Sequence, residues 1–109
     1  MTTHQSDLPV PHLAVIFSTQ RREGDEDLYT ETSAAMVDLV VHQPGYVSHE
    51  SARDADGFGI TVSYWEDHAS IRNWQQNVEH LAAQRMGVEK FYASFTLRIA
   101  TIETIRHFP

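Results

Sequence analysis

Residues 73–84, NWQQNVEHLAAQ, put a tryptophan, two asparagines and a histidine where an amphipathic helix would carry leucine. At about 100° per residue, Trp74, Val78, Leu81 and Val88 fall on one arc, and Asn73, Asn77, His80 and Gln84 form a stripe beside it. Gln75, Gln76 and Glu79 point further outward. A neutral hydrogen-bonding stripe next to an aromatic is what a small-molecule pocket needs: apolar area to bury a ligand and a few groups to orient it. The same residues also describe an ordinary packed helix, with Trp74 in the core, His80 half exposed and Asn77 ending a helical turn. A break near Asn77 would shift the two halves in phase.

Other polar groups are more scattered. His49 lies on a strand between Val47 and Ser51, facing either a subunit contact or a pocket mouth. Tyr64 and Tyr92 are phenolic groups at strand ends, able to donate into a pocket or simply to pack. His68 sits in a helix first turn, and His4, His12, His42 and His107 lie near ends and loops. No HxxxH or HExxH spacing occurs, so no metal site is expected. Neither GxGxxG nor GxxxxGK is present to cradle a nucleotide, and no GxSxG elbow supports a nucleophilic serine. The absence of cysteine excludes disulfides, cysteine-bound zinc and thiolate nucleophiles. It makes a cytoplasmic location the expectation.

The elements that position these groups can be read along the chain. HLAVIFST (12–19) is short and rich in β-formers, a first strand. QRREGDED turns the chain, and Asp25 or Asp27 is placed to cap a helix whose acidic first turn suits the macrodipole. Leu28, Thr32, Ala35, Met36, Leu39 and Val40 then recur at helical spacing until Pro44 and Gly45 stop the helix. GYVSHESAR (45–53) and FGITVSYW (58–65) flank the turn DADG as a hairpin. A second helical region opens at Glu66 and Asp67, bends near Asn77 and ends at Gly87; FYASFTLRIATIETI (91–105) alternates as a long last strand. The order β-α-β-β-α-β predicts an α+β, ferredoxin-like fold.

With 109 residues, 41% of them hydrophobic, the chain is expected to form a single domain over 12–109 behind a loose N-terminal arm, 1–11. The arm, MTTHQSDLPVP, lacks the basic and apolar regions of a signal peptide. A formal charge of −7 repels phosphate backbones, so no nucleic acid partner is expected. No apolar run approaches the roughly 20 residues that span a bilayer, so no membrane partner is expected either. Two helices can cover only one face of a four-stranded sheet. One strand phase presents Leu13, Val15 and Phe17, grouped with Phe58, Ile60, Val62 and Tyr64, and with Phe95, Leu97 and Ile99. The other presents Gly59, Thr61, Ser63 and Trp65 with Ser94, Thr96, Arg98 and Ala100. The first is expected beneath the helices and the second against the same face of a second copy, in a homodimer. A monomer with one wet sheet face is the alternative.

Three stretches, SYWEDHASIRNW (63–74), EHLAAQRMG (79–87) and KFYASFTLRIATIE (90–103), carry a family resemblance, and HLAVIFST and QPGYVSHES agree with it. From His12 onward the chain resembles the antibiotic biosynthesis monooxygenase domain of the dimeric α+β barrel superfamily. The resemblance implies a ferredoxin-like protomer whose sheet joins its twin's in a barrel, helices outside, with a pocket between helices and sheet. It implies oxidation of phenols to quinones with O₂, without flavin, haem or metal, and a tryptophan comparable to Trp74 that holds the substrate. The superfamily also contains haem degraders, other enzymes and members without established activity. Haem degraders carry an axial histidine about ten residues past the helical tryptophan, and an asparagine on the first strand. Here Gln84 stands at that late position, the first strand reads AVIFST, and His80 comes one turn early, which ranks haem last.

Resemblance and stripe together imply a cofactor-independent monooxygenase acting on a small aromatic or polyketide-type substrate. In that scheme Trp74 holds the ring, with Tyr64 and His49 as further substrate contacts. His80 takes the phenolic proton, and Asn77 or Tyr64 donates to the developing anion. A pKa of about 6.5 suits histidine to the task at neutral pH. A barrel that keeps the pocket without turnover, as a ligand-binding or stress-associated module, is the alternative from a different class.

Overall fold

Residues 12–109 are described by a computed structural model; the arm expected at 1–11 lies outside them. Strand β1 (His12–Arg21) leads through helix α1 (Glu26–Val40) to β2 (Tyr46–Arg53) and β3 (Phe58–Trp65). Helices α2 (His68–Gln75) and α3 (Val78–Met86), a π-helical turn (Gly87–Phe91) and β4 (Tyr92–Ile102) complete the chain. The sheet runs β2-β3-β1-β4 with every pair antiparallel, the ferredoxin-like arrangement.

Local chemistry explains the boundaries. Asp25 stands at the start of α1 in the left-handed region, φ 55°, and its side chain does not cap. Asp27 lies inside the first turn, where with Glu26 it faces the positive end of the helix dipole. Gly45 turns the chain into β2 at φ 80°, and a Cβ there would lie 1.9 Å from Ser70 Oγ. Only glycine meets both demands. In the hairpin turn, Asp54 Oδ1 accepts from Asp56 N and Phe58 N at 2.9 and 3.0 Å.

The second helical region is two helices. Asp67 caps α2 by accepting from Ser70 N at 2.8 Å. Asn77 is extended, φ −62° and ψ 128°, and its Oδ1 accepts from Glu79 N and His80 N at 3.0 and 3.1 Å. It ends one helix and caps the next. Asn77→Ala should therefore lower stability by about 1 kcal/mol, measured by denaturant titration. A change below a few tenths would show that the break does not depend on this cap.

Leu13, Val40, Trp65 and Ile71 form the core, with Val15, Tyr46 and Trp74 packed on it. Trp65 is fully buried, and it decides the phase of β3. The register sets Leu13 opposite Trp65, Val15 opposite Ser63 and Phe17 opposite Thr61. Directly opposed residues share a face, so Gly59, Thr61, Ser63 and Trp65 point toward the helices. The expected grouping of β3 is corrected: Phe58, Ile60, Val62 and Tyr64 turn to the uncovered face, beside Ala14, Ile16, Arg98 and Ala100. The outer face is thus more apolar than its composition in the other phase suggested, with Phe58 44% and Ile60 40% exposed. The reason is that side chains alternate with period 2, so the largest aromatic of a strand carries the whole strand's phase with it.

Candidate functional site

A cavity of about 590 Å³ lies between the sheet and the helices. Its floor is the inward face of the strands: Val15 and Phe17 of β1, His49 and Ser51 of β2, Thr61 and Ser63 of β3. Met36 of α1, Trp74 of α2 and His80 of α3 close the other side. The small side chains of β3, which turn inward with Trp65, leave the space that larger residues would fill.

Trp74 and His80 form one unit. Their rings stack at 4.0 Å between centroids and 13° between planes, and Trp74 also stacks on Trp65 at 6.3 Å. Residues six apart on a continuous helix point about 120° away from each other; the break at Asn77 brings them together. His80 Nδ1 lies 2.8 Å from the Trp74 carbonyl oxygen. A carbonyl only accepts, so Nδ1 carries the proton and Nε2 keeps its lone pair. Among the described residues no protein group is hydrogen-bonded to that nitrogen. Burial pushes the His80 pKa below 6.5, the bond to Trp74 acting in the opposite sense. The imidazole is neutral at pH 7, a free base beside the cavity.

The second imidazole is tied to a tyrosine. Tyr46, packed edge-on against Trp65 at 5.8 Å, places its hydroxyl 2.5 Å from His49 Nδ1. Burial raises the Tyr46 pKa and keeps that hydroxyl protonated. That hydroxyl either donates to a bare Nδ1 or accepts from Nδ1–H, and in both cases it holds the His49 ring in place. One cavity therefore holds two positioned imidazoles, His80 tied to the Trp74 carbonyl and His49 tied to Tyr46.

Of the five residues singled out from the sequence, Trp74, His80 and His49 line the cavity. Tyr64 does not. It lies on the outer face with β3's large residues, and its hydroxyl donates to Glu50 Oε1 at 2.7 Å. Burial, reinforced by that carboxylate, pushes its pKa up to about 12. Asn77 is likewise absent from the lining, its Oδ1 engaged as the α3 cap. Gln84 does line the cavity, together with Tyr92, whose pKa burial and the neighbouring Tyr29 push up to about 12. Tyr46 and Arg53 went unnoticed in the sequence. The signal for Arg53 was its period-2 relation to His49 through Ser51.

Comparison with known proteins bears on the same elements. The model of the family described as antibiotic biosynthesis monooxygenase matches residues 12–86, more than half of the chain. The chain belongs to the antibiotic biosynthesis monooxygenase family. The uncharacterised protein YqjZ of Bacillus subtilis is 44% identical to this chain over 98 residues, spanning 90% of this chain and 85% of that one. Among solved structures, SnoaB of Streptomyces nogalater, described as a cofactor-independent oxygenase, superposes with a TM-score of 0.69 at 16% identity, covering 90% of this chain and 97% of that one. Rv0793 of Mycobacterium tuberculosis superposes with a TM-score of 0.70 at 12% identity, covering 88% and 97%. At these identities the structures show a shared fold. The monooxygenase family membership and the ferredoxin-like α+β fold thus agree. Among the described residues no helix is long and apolar enough to cross a membrane.

Proposed function

We propose that the protein is a monooxygenase for a small phenolic substrate, using O₂ without a cofactor. The observation that carries this is His80: its ring lies on Trp74, its Nδ1–H is tied to the Trp74 carbonyl, leaving Nε2 unprotonated, and the residue lines the cavity. A phenol bound against Trp74 would lose its proton to Nε2. The electron-rich anion would then react with O₂ to a ring hydroperoxide, and loss of water would leave the quinone, so that phenol plus O₂ balances quinone plus water. His49, in the tautomer that accepts from Tyr46 at Nδ1 and carries its proton on Nε2, would donate to the oxygen that bears the developing charge, taking the role first assigned to Asn77 or Tyr64. Membership of a monooxygenase family and the likeness to SnoaB support the same chemistry.

Oxygen uptake with naphthols and naphthohydroquinones, in buffer treated with chelator, tests this. One O₂ consumed per quinone formed is expected. Binding without uptake across the panel would instead make the protein a ligand-binding module.

The working unit of this reading is a homodimer in the cytoplasm. Exposed Phe58 and Ile60, with Val62 and Ile16 on the same outer face, would be covered by the matching face of a second copy. Light scattering should give about twice the 12.4 kDa chain mass at micromolar concentration. A monomer unchanged by concentration would leave that face in water and sink the barrel assembly.

A further inference from the structure

Four residues along β2 from His49, roughly 13 Å of strand, the same cavity is lined by a guanidinium. Arg53 lies directly over β3: a Cβ on its partner Gly59 would come within 2.7 Å of the Arg53 Cζ. Its donors reach the Gly57 carbonyl oxygen, Thr19 Oγ1 at 2.9 Å and the Tyr29 hydroxyl oxygen at 3.1 Å. All three acceptors are neutral, and three of the five N–H donors of a guanidinium are used. Two remain.

No carboxylate among the described residues compensates this charge. The neighbouring Arg21, whose guanidinium lies 3.9 Å from the centre of the Tyr29 ring, is paired with Glu26 at 3.1 Å. Asp54, next in sequence, has its Oδ1 committed to the hairpin turn. Arg53 is solvent-exposed where it lines the cavity, so its two spare donors are open to an anion that enters from outside, in a chain whose formal charge is −7.

We infer that the Arg53 end of the cavity is an anion subsite, taking a carboxylate that the aromatic substrate carries on the side away from the oxidised ring position. Thr19 and Tyr29 hold the guanidinium in place, so the carboxylate fixes which ring edge meets His80 and His49. This rests on the aromatic-substrate reading of the same cavity and names its class: a hydroxylated aromatic acid.

Binding under anaerobic conditions tests it, with 6-hydroxy-2-naphthoate and 2-naphthol as matched probes. Wild type should bind the acid about tenfold more tightly at low salt. Arg53→Gln should erase that preference and leave naphthol affinity unchanged, while Arg53→Lys, which keeps the charge, should retain part of it. Equal affinities in wild type overturn the subsite whether or not the variants fold, and so does a preference that survives Arg53→Gln. Oxygen uptake read afterwards is a separate matter: an intact preference without turnover supports the subsite and removes the oxygenase reading.

Discussion

His80→Ala is expected to slow oxidation of a phenolic substrate by about 10²–10⁴-fold, the usual contribution of a positioned general base. The fold should survive, because the imidazole is stacked on the edge of the core and α3 keeps its Asn77 cap. The pH profile of the wild type carries the same information. The pKa of His80 lies below 6.5 because burial disfavours the cation, so the neutral base is available throughout the neutral range. Activity should be level near pH 7 and fall on the acid side with a midpoint below 6.5. Stability follows the same sense. The unfolded chain binds the proton more readily than the folded one, so the contribution of His80 is complete above 6.5 and is lost as pH falls through the lower folded value. A variant with unchanged rate, or an acid limb centred above 6.5, would remove His80 from the base's role.

Trp65→Ala should be among the most destabilising single changes in the chain, about 3–5 kcal/mol for truncating a fully buried tryptophan. That is a large share of the total stability of a small domain. The melting temperature should fall by roughly 12 °C or more. Three groups lean on this ring: Tyr46 meets it edge-on, Trp74 stacks on it, and Ser63 Oγ accepts from its Nε1–H at 2.9 Å. Ligand binding should weaken with stability, since Trp74 supports His80 and Tyr46 supports His49. A loss below about 1 kcal/mol would mean that the tryptophan does not anchor β3, and the inward turn of Thr61 and Ser63 would need another cause.

The two variants separate the scaffold from the chemistry. His80→Ala should alter rate with little change in melting, whereas Trp65→Ala should alter melting and binding together. That division matches where the groups sit: Trp65 has no solvent exposure, while His80 borders the cavity.

The order of elements, the break near Asn77 and the family were legible in the sequence itself, and of the five singled-out residues Trp74, His80 and His49 line the cavity. Each depends on local signals: β-rich runs, helical spacing, Pro44 and Gly45, and motifs such as SYWEDHASIRNW. Which face of β3 meets the helices was not legible. FGITVSYW places large residues in both phases, Phe58, Ile60, Val62 and Tyr64 in one and Trp65 in the other. Hydropathy favours the first. Packing chose the second, because the antiparallel register brings Trp65 opposite Leu13 and beside Tyr46, and a single tryptophan in the core outweighs smaller groups that a sheet face can leave exposed. That choice carried Tyr64 out of the cavity and opened room beside His49. Asn77 shows the same division. The break was visible in the residue type, but only the three-dimensional path of the chain shows that its side chain is used up capping α3, and that the break folds His80 back onto Trp74. Local propensity determined what each segment is; register and long-range packing decided what each side chain faces.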